Sequence, residues 1–302
     1  MKLKAVEIEK VSEQLGASNP LDLKPFIQCK DHSVSRETFA LYIDEKRDML
    51  VTIPQPPKDQ LPGYYESEDY ISHTDSKRNL LEKVYHLVRQ FSLKKKEKLI
   101  TRVNQGEGRV LDVGCGTGDF LKVCEQTGWT IAGVEPNEKA RQVALSKTNL
   151  KNCYGSIEEL IDSNPESFDV ITLWHVLEHI PNLADFIAKI KAVLKPNGVL
   201  IIAVPNFKSG DAQHYGSSWA AYDVPRHLWH FSQNSMEQIF SEFDMKIMQT
   251  LPMIFDSFYV SLLSEKYLSG KQKYFSAFYQ GFRSNLRAQR SGEYSSLIYL
   301  IK

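Results

Sequence analysis

Val110-Leu111-Asp112-Val113-Gly114-Cys115-Gly116-Thr117-Gly118-Asp119 is the stretch whose reading decides the fold. An apolar run enters three glycines at alternate positions, and a helical pattern from Phe120 to Gln126 follows. Such a turn lets backbone come within contact distance of a ligand, because no side chain intervenes. Glu135 ends the next apolar run, Thr130 to Val134, where its carboxylate can accept hydrogen bonds from both hydroxyls of a ribose. Strand, glycine turn and acid in that order describe a nucleoside-binding crevice at the carboxyl ends of a parallel sheet. A dinucleotide site usually reads GxGxxG, with pyrophosphate over a helix N-terminus. Here the spacing is GxGxG and Asp112 precedes it by two positions.

Working outward, short β-rich runs alternate with helical patterns. Val110 to Val113, Thr130 to Val134, Asp169 to Leu173 and Val199 to Val204 read as strands. Phe120 to Gln126, Glu138 to Ser146 and Leu183 to Leu194 read as the helices between them, which implies a parallel sheet covered on both faces. Upstream, apolar positions from Leu80 to Leu99 recur at helical spacing within Ser76 to Val103. Residues 1–75 are broken by Pro20, Pro25, Pro54, Pro56, Pro57 and Pro62 and predict a small extended cap or hairpin, not a helix. Downstream, Asn206 to His230 has little regular pattern and is too long for an ordinary connection. Ser232 is placed to cap a helix over Asn234 to Glu242. Met245 to Thr250 and Ser296 to Ile301 read as strands, and the aromatic segment 254–290 between them as helical.

Composition narrows the class. Of 302 residues, 42% are apolar and 25% charged, as in a globular protein with a real core, and 37 basic residues balance 37 acidic ones. Zero net charge gives no field for nucleic acid or an anionic membrane, and the cluster Lys94-Lys95-Lys96-Glu97-Lys98 reads as a solvated helix face. No apolar run is long enough to span a bilayer. Cys29, Cys115, Cys124 and Cys153 form no CxxC pair, so a reduced, cytoplasmic protein is the default expectation.

The glycine stretch with Asp112 resembles the DxGxGxG motif of class I S-adenosylmethionine-dependent methyltransferases. The resemblance continues through Gly155-Ser156-Ile157-Glu158, through Phe168 to Trp174 and the loop His175-Val176-Leu177-Glu178-His179-Ile180-Pro181, and through Leu194 to Leu200. It covers about residues 75–250. It implies a Rossmann-like α/β fold with a seven-stranded, mostly parallel sheet, the last strand antiparallel and helices on both faces. It also implies S-adenosylmethionine as cofactor, held by Asp112, Gly114, Cys115, Gly116, Gly118, Glu135, Pro136, Ser156, Ile157, Trp174, His175 and Tyr65. A narrower resemblance is to a bacterial subgroup with a WHVLEH loop and a D-x-P-R-H-L-x-x-F-S insert, here Asp223 to Ser232. Many members carry an N-terminal zinc ribbon before a Tyr-Tyr segment. Tyr64-Tyr65-Glu66-Ser67 and Tyr70-Ile71-Ser72-His73 resemble that segment and Cys29 a ribbon remnant, while the other cysteines are missing, so no metal is expected there. The expected organisation is an N-terminal cap over 1–75 and a methyltransferase domain over 76–302, with an insert at 206–231.

The histidines admit several readings. His175, Glu178 and His179 have i, i+3, i+4 spacing, which predicts one helical face. They contact cofactor or hold the neighbouring loop, or His179 is a general base, or the group binds metal as the Glu-x-x-Glu-His run of ubiquinone-type O-methyltransferases does. His227 and His230 either take a proton from the acceptor or order the insert, with Arg226 pairing Asp223. Trp219, Tyr222, Trp229 and Phe231 are expected to wall a pocket, and the Tyr64–His73 and His214–His230 segments to close over one mouth. The expected activity is methyl transfer to a small-molecule or glycan/lipid-intermediate O- or N-nucleophile. A protein or RNA methyltransferase and a non-catalytic cofactor-binding domain are the alternatives. No Asn/Asp-Pro-Pro-Tyr motif follows the fourth strand, which argues against amino-group DNA methylation.

Overall fold

The computed structural model describes residues 5–17, 20–57, 59–65, 80–151, 153–163 and 167–302. Its residues group into two compact units. One comprises Met1–Tyr70, Leu177–Asp185 and Ala203–Tyr299, the other Ile71–Val176, Phe186–Ile202 and Leu300–Lys302.

The second unit holds most of the parallel sheet. Helix α2 (Leu80–Asn104) precedes β4 (Arg109–Val113), and then strands and helices alternate: α3 (Asp119–Gln126), β5 (Thr130–Val134), α4 (Glu138–Lys147), β6 (Cys153–Tyr154), α5 (Ile157–Asp162), β7 (Phe168–Trp174) and α6 (Leu183–Val193), then β8 (Leu194–Pro205). The seven strands run in the order β10-β11-β8-β7-β4-β5-β6, where β10 is Ile247–Pro252 and β11 is Ser296–Ile301. Strand β4 pairs in parallel with both β5 and β7, and β5 in parallel with β6; the antiparallel strands come last in the chain. Val110, Leu111, Val170, Ile171, Leu200 and Ile201 are all but fully buried, because a parallel sheet covered on both faces leaves no solvent-exposed side to its central strands. The expected strands therefore stand, with β8 beginning earlier, at Leu194. Strand β6, two residues long, gave no periodic signal to read.

The first unit contains a four-stranded antiparallel sheet in the order β1-β2-β3-β9, formed by Leu23–Lys30, Thr38–Asp44, Met49–Ile53 and Trp229–His230. Leu50 faces His230 and Val51 faces Trp229 in register, so the insert completes the N-terminal sheet. The N-terminal segment corrects one expectation: Ala5–Gln14 is a helix, α1. Its buried residues are Val11 and Ser12, with Leu15 buried just beyond its end, while Val6 points outward. That set is too small to register as a period.

The insert also differs from its pattern. It carries α7 (Gly210–Tyr215), short 3-10 turns at Gly216–Ser218 and Ala220–Tyr222, and strand β9. Trp229 and Phe231 are fully buried core residues, while Trp219 and Tyr222 pack with Cys29, Phe39 and Leu41 and also line a small cavity with His32, Arg226 and Tyr267, so two of the four aromatics expected to wall a pocket do so. Helix α8 (Gln233–Ser241) starts at Ser232 as expected, with a reciprocal capping box to Ser235. The segment expected to be helical is a pair, α9 (Asp256–Ser269) and α10 (Tyr274–Ser291), separated where Gly270 takes a left-handed conformation. Tyr70 and His73 lie outside the described residues.

Candidate active site

In the sheet-bearing unit the chemistry gathers where β4 ends. Gly114, Gly116 and Gly118 all have positive φ, at 72°, 55° and 77°. A Cβ on Gly114 would sit 2.4 Å from Val176 Cγ2, and one on Gly118 would sit 2.9 Å from Ala144 Cβ. Those two glycines are required by the protein's own packing. At Gly116 a Cβ would meet nothing within 4 Å, so its Cα faces open space beside the turn. The Gly116 N–H donates to Glu135 Oε2 at 2.9 Å and the Asn137 N–H to Glu135 Oε1 at 2.9 Å. Two backbone donors thus fix the carboxylate while each oxygen keeps a lone pair for a ligand hydroxyl.

Behind the turn, Asp112 is buried and accepts a 2.6 Å hydrogen bond from Thr172 Oγ1, its register partner on β7. Burial pushes the Asp112 carboxyl up to about 7, against the pull of Thr172 and the Lys96 ammonium. Lys96 Nζ lies 4.2 Å from the centre of the Trp174 ring, and Phe120 meets the same ring edge-on. Cys115 Sγ lies 3.6 Å from Cys153 Sγ, both beside the bare Cα of Gly133. Arg141 donates to the carbonyls of Glu135 and Pro136, and Ser156 caps α5 through Glu159 N–H while Ile157 is buried. The sequence alone gave no sign of Thr172, Lys96 or Cys153; strand register brings Thr172 and Cys153 to this turn, and Lys96 comes from helix α2.

His175 corrects the helical reading of its loop. It has φ of 59° directly after β7, and the following 3-10 turn covers only Leu177–His179, so His175 does not share a helical face with Glu178 and His179.

The other unit holds a second cluster. One ligand atom each from Glu178, His179 and His227 lies within 4.8 Å of the others. Tyr65 Oη and the Arg226 carbonyl each lie 3.0 Å from His179 Nδ1, so Tyr65 stands beside His179. His227 Nδ1 lies 2.9 Å from the Ala221 carbonyl, which assigns the proton to that nitrogen and leaves Nε2 as the acceptor. Burial, with the nearby His179, depresses His227 to about 4. His230 is buried, with Nε2 3.0 Å from Thr52 Oγ1, and burial lowers its pKa well below the usual value. Of the three histidines only His179 is partly exposed.

Arg226 holds the insert. Its guanidinium donates to Asp223 through Nε at 2.9 Å and Nη2 at 2.6 Å, to Asp31 at 3.1 Å, and to the Tyr64 carbonyl at 2.9 Å. Burial works to raise the Asp31 pKa, but the Ser35 and Ser33 N–H groups and Arg226 overcome it and hold the carboxyl at about 2. These contacts occupy Asp31, while His32 stacks on Tyr267. Arg226→Met leaves a buried carboxylate uncompensated and is expected to cost about 3–5 kcal/mol, measured by denaturant unfolding. Asp31 contributes stability above its unfolded value of 3.8 and loses it as pH falls through about 2. Wild-type stability should therefore fall over that window by about 2 kcal/mol more than that of Asp31→Asn.

A methyltransferase domain family model matches residues 77–250, more than half of the chain. A ubiquinone biosynthesis O-methyltransferase from Rhodopseudomonas palustris strain HaA2 is 28% identical over 159 residues, covering 49% of this chain and 62% of that protein. One from Haemophilus ducreyi is 36% identical over 107 residues, covering 32% and 45%. The chain thus spans less than two thirds of the length of these curated relatives. Magnesium protoporphyrin IX methyltransferase from Synechocystis PCC 6803, solved with S-adenosylhomocysteine, shares the fold at a TM-score of 0.53 and 14% identity, over 81% of this chain and 99% of that one. With the glycine turn, Asp112 and Glu135 in place on that sheet, the chain belongs to the methyltransferase domain family, as a class I, S-adenosylmethionine-dependent member.

Proposed function

We propose that the protein transfers the methyl group of S-adenosylmethionine to an oxygen or nitrogen of a small molecule. The open face of Gly116 beside the anchored Glu135 carboxylate carries this reading. Glu135 accepts from the ribose hydroxyls, the Gly116 backbone lies against the cofactor, and Ser156 and Ile157 flank the adenine. When bound, the cofactor supplies a methyl already activated by its sulfonium, so the protein's task is positioning and, for a protonated nucleophile, proton removal. His179 is the proposed base, because it is the most accessible of the three histidines and its Nδ1 is engaged, leaving Nε2 to receive a proton. Glu178 and His227 stand behind it. The ubiquinone relatives, which are O-methyltransferases by name, favour a hydroxyl acceptor.

Calorimetry with S-adenosylhomocysteine tests the ribose contact. Glu135→Ala is expected to weaken binding by about 1.5–3 kcal/mol, the worth of charge-assisted hydrogen bonds. Unchanged affinity would remove Glu135 from the site.

A second reading has its own observation, the mutual approach of Glu178, His179 and His227. Two imidazoles and a carboxylate suit a divalent transition metal, and carbonyls at both Nδ1 atoms are the usual orienting partners of metal-binding histidines. Elemental analysis of protein purified without chelator separates the two readings. One equivalent of zinc, lost on His227→Gln, supports the metal.

A further inference from the structure

Helix α10 places its apolar side outward. Phe275, Phe278, Tyr279, Phe282 and Leu286 recur at i, i+3, i+4, i+7 and i+11 and are all exposed, Phe275 at 95%, Phe278 at 65% and Tyr279 at 60%. The opposite face carries Ala277, Gly281, Ser284, Asn285 and Ala288, which are buried. A Cβ on Gly281 would come within 3.0 Å of the Phe258 backbone on α9, so small residues let the two helices approach closely. Phe258 stacks on Phe278 with ring centres 5.1 Å apart, holding the aromatic row from beneath. A helix on a soluble surface ordinarily shows the reverse arrangement, apolar inward and polar outward. From Phe275 to Leu286 the stripe runs about 17 Å along the helix, more than the scattered apolar side chains of an ordinary surface.

The charge of the same segment is one-sided. From Lys266 to Arg290 lie six cations, Lys266, Lys271, Lys273, Arg283, Arg287 and Arg290, and no Asp or Glu. All six are exposed. The chain as a whole is neutral, so this excess is hidden in the overall balance and the remainder is acidic to the same extent. At about 100° per residue, Arg283 and Arg290 fall within about 80° of the middle of the aromatic stripe, along one edge of it.

We propose that the α9–α10 hairpin docks the protein on an anionic lipid bilayer, with the Phe275–Leu286 stripe entering the headgroup–acyl boundary and the Lys and Arg side chains lying against the lipid phosphates. An exposed aromatic row edged by cations is what an interfacial helix requires. A second copy of the chain is the less favourable occupant, since a two-fold contact through this face would bring Arg283 and Arg290 of one copy towards the same cations of the other. No helix among the described residues is long and apolar enough to cross a membrane, so the attachment is peripheral. The surface is independent of the methyl-transfer reading and extends it to where the protein works.

Co-sedimentation of the full chain with vesicles tests this without any acceptor. Binding is expected to vesicles of equal parts phosphatidylcholine and phosphatidylglycerol, and to weaken sharply on pure phosphatidylcholine or in high salt. Arg283→Gln with Arg287→Gln and Arg290→Gln should lower partitioning about a hundredfold, roughly fivefold per cation. Phe275→Ser with Phe282→Ser should lower it at least about tenfold. Both variants should keep the parental melting temperature and S-adenosylhomocysteine affinity, because the altered side chains are exposed. Absence of binding to the anionic vesicles, or equal binding by both variants, would overturn the proposal. So would a stable dimer that Phe275→Ser with Phe282→Ser dissociates, in protein that ignores vesicles.

Discussion

Gly116→Val is expected to abolish S-adenosylhomocysteine binding, by more than about a hundredfold, while the protein stays folded. The backbone there has φ of 55°, so a β-branched residue is strained by about 1–2 kcal/mol, but its Cβ meets no protein atom within 4 Å. A folded domain survives a loss of that size. The added methyls instead fill the space assigned to the cofactor. Gly114→Ala and Gly118→Ala behave differently, because their Cβ atoms drive into Val176 and Ala144. Those variants should lose thermal stability and cofactor affinity together. Calorimetry and melting curves on the three variants make the distinction. Gly116→Val that binds cofactor normally would place the ligand elsewhere.

The second large effect is on turnover. His179→Ala is expected to lower the single-turnover rate by about 10²–10⁴-fold while cofactor affinity and melting temperature change little. His230→Ala should do the opposite: it removes a buried partner of Thr52 Oγ1, so stability falls by about 1–3 kcal/mol before chemistry is touched. Parental turnover by His179→Ala would show that the acceptor needs no base from this residue. If a chelator reproduced the loss in wild-type protein and added zinc reversed it, the cluster would act through a metal.

The parallel sheet was readable because its central strands are predominantly apolar and its turn has no room for a side chain at Gly114 or Gly118. Val110 to Val113 and the three glycines express both constraints in one stretch. Ser296 to Ile301 was readable for the same reason, as an apolar run that is wholly buried. Helix α1 was not, since Val11 is its one fully buried apolar residue among those described, and one residue carries no period. The loop after β7 misled for a different reason. Histidine and glutamate at i, i+3 and i+4 imply a shared face only on a helix, and His175 stands in a left-handed conformation before the turn begins. The insert hid its order because its aromatics are fixed by distant partners. Trp229 Nε1 donates to the Ile180 carbonyl, Ser232 Oγ to the Asp48 carbonyl, and Arg226 reaches Asp31 across 195 positions of sequence. Whole-chain composition averages out local charge: the six cations from Lys266 to Arg290 are invisible in a net charge of zero over 302 residues.

The most direct test of the central claim is transfer of label. Protein is incubated with methyl-labelled S-adenosylmethionine and a cell extract, which is then separated into small-molecule, lipid, protein and RNA fractions. The account predicts label in the small-molecule or lipid fraction, growing with time and absent with Gly116→Val. Label confined to protein or RNA, or equal labelling by Gly116→Val, would contradict it.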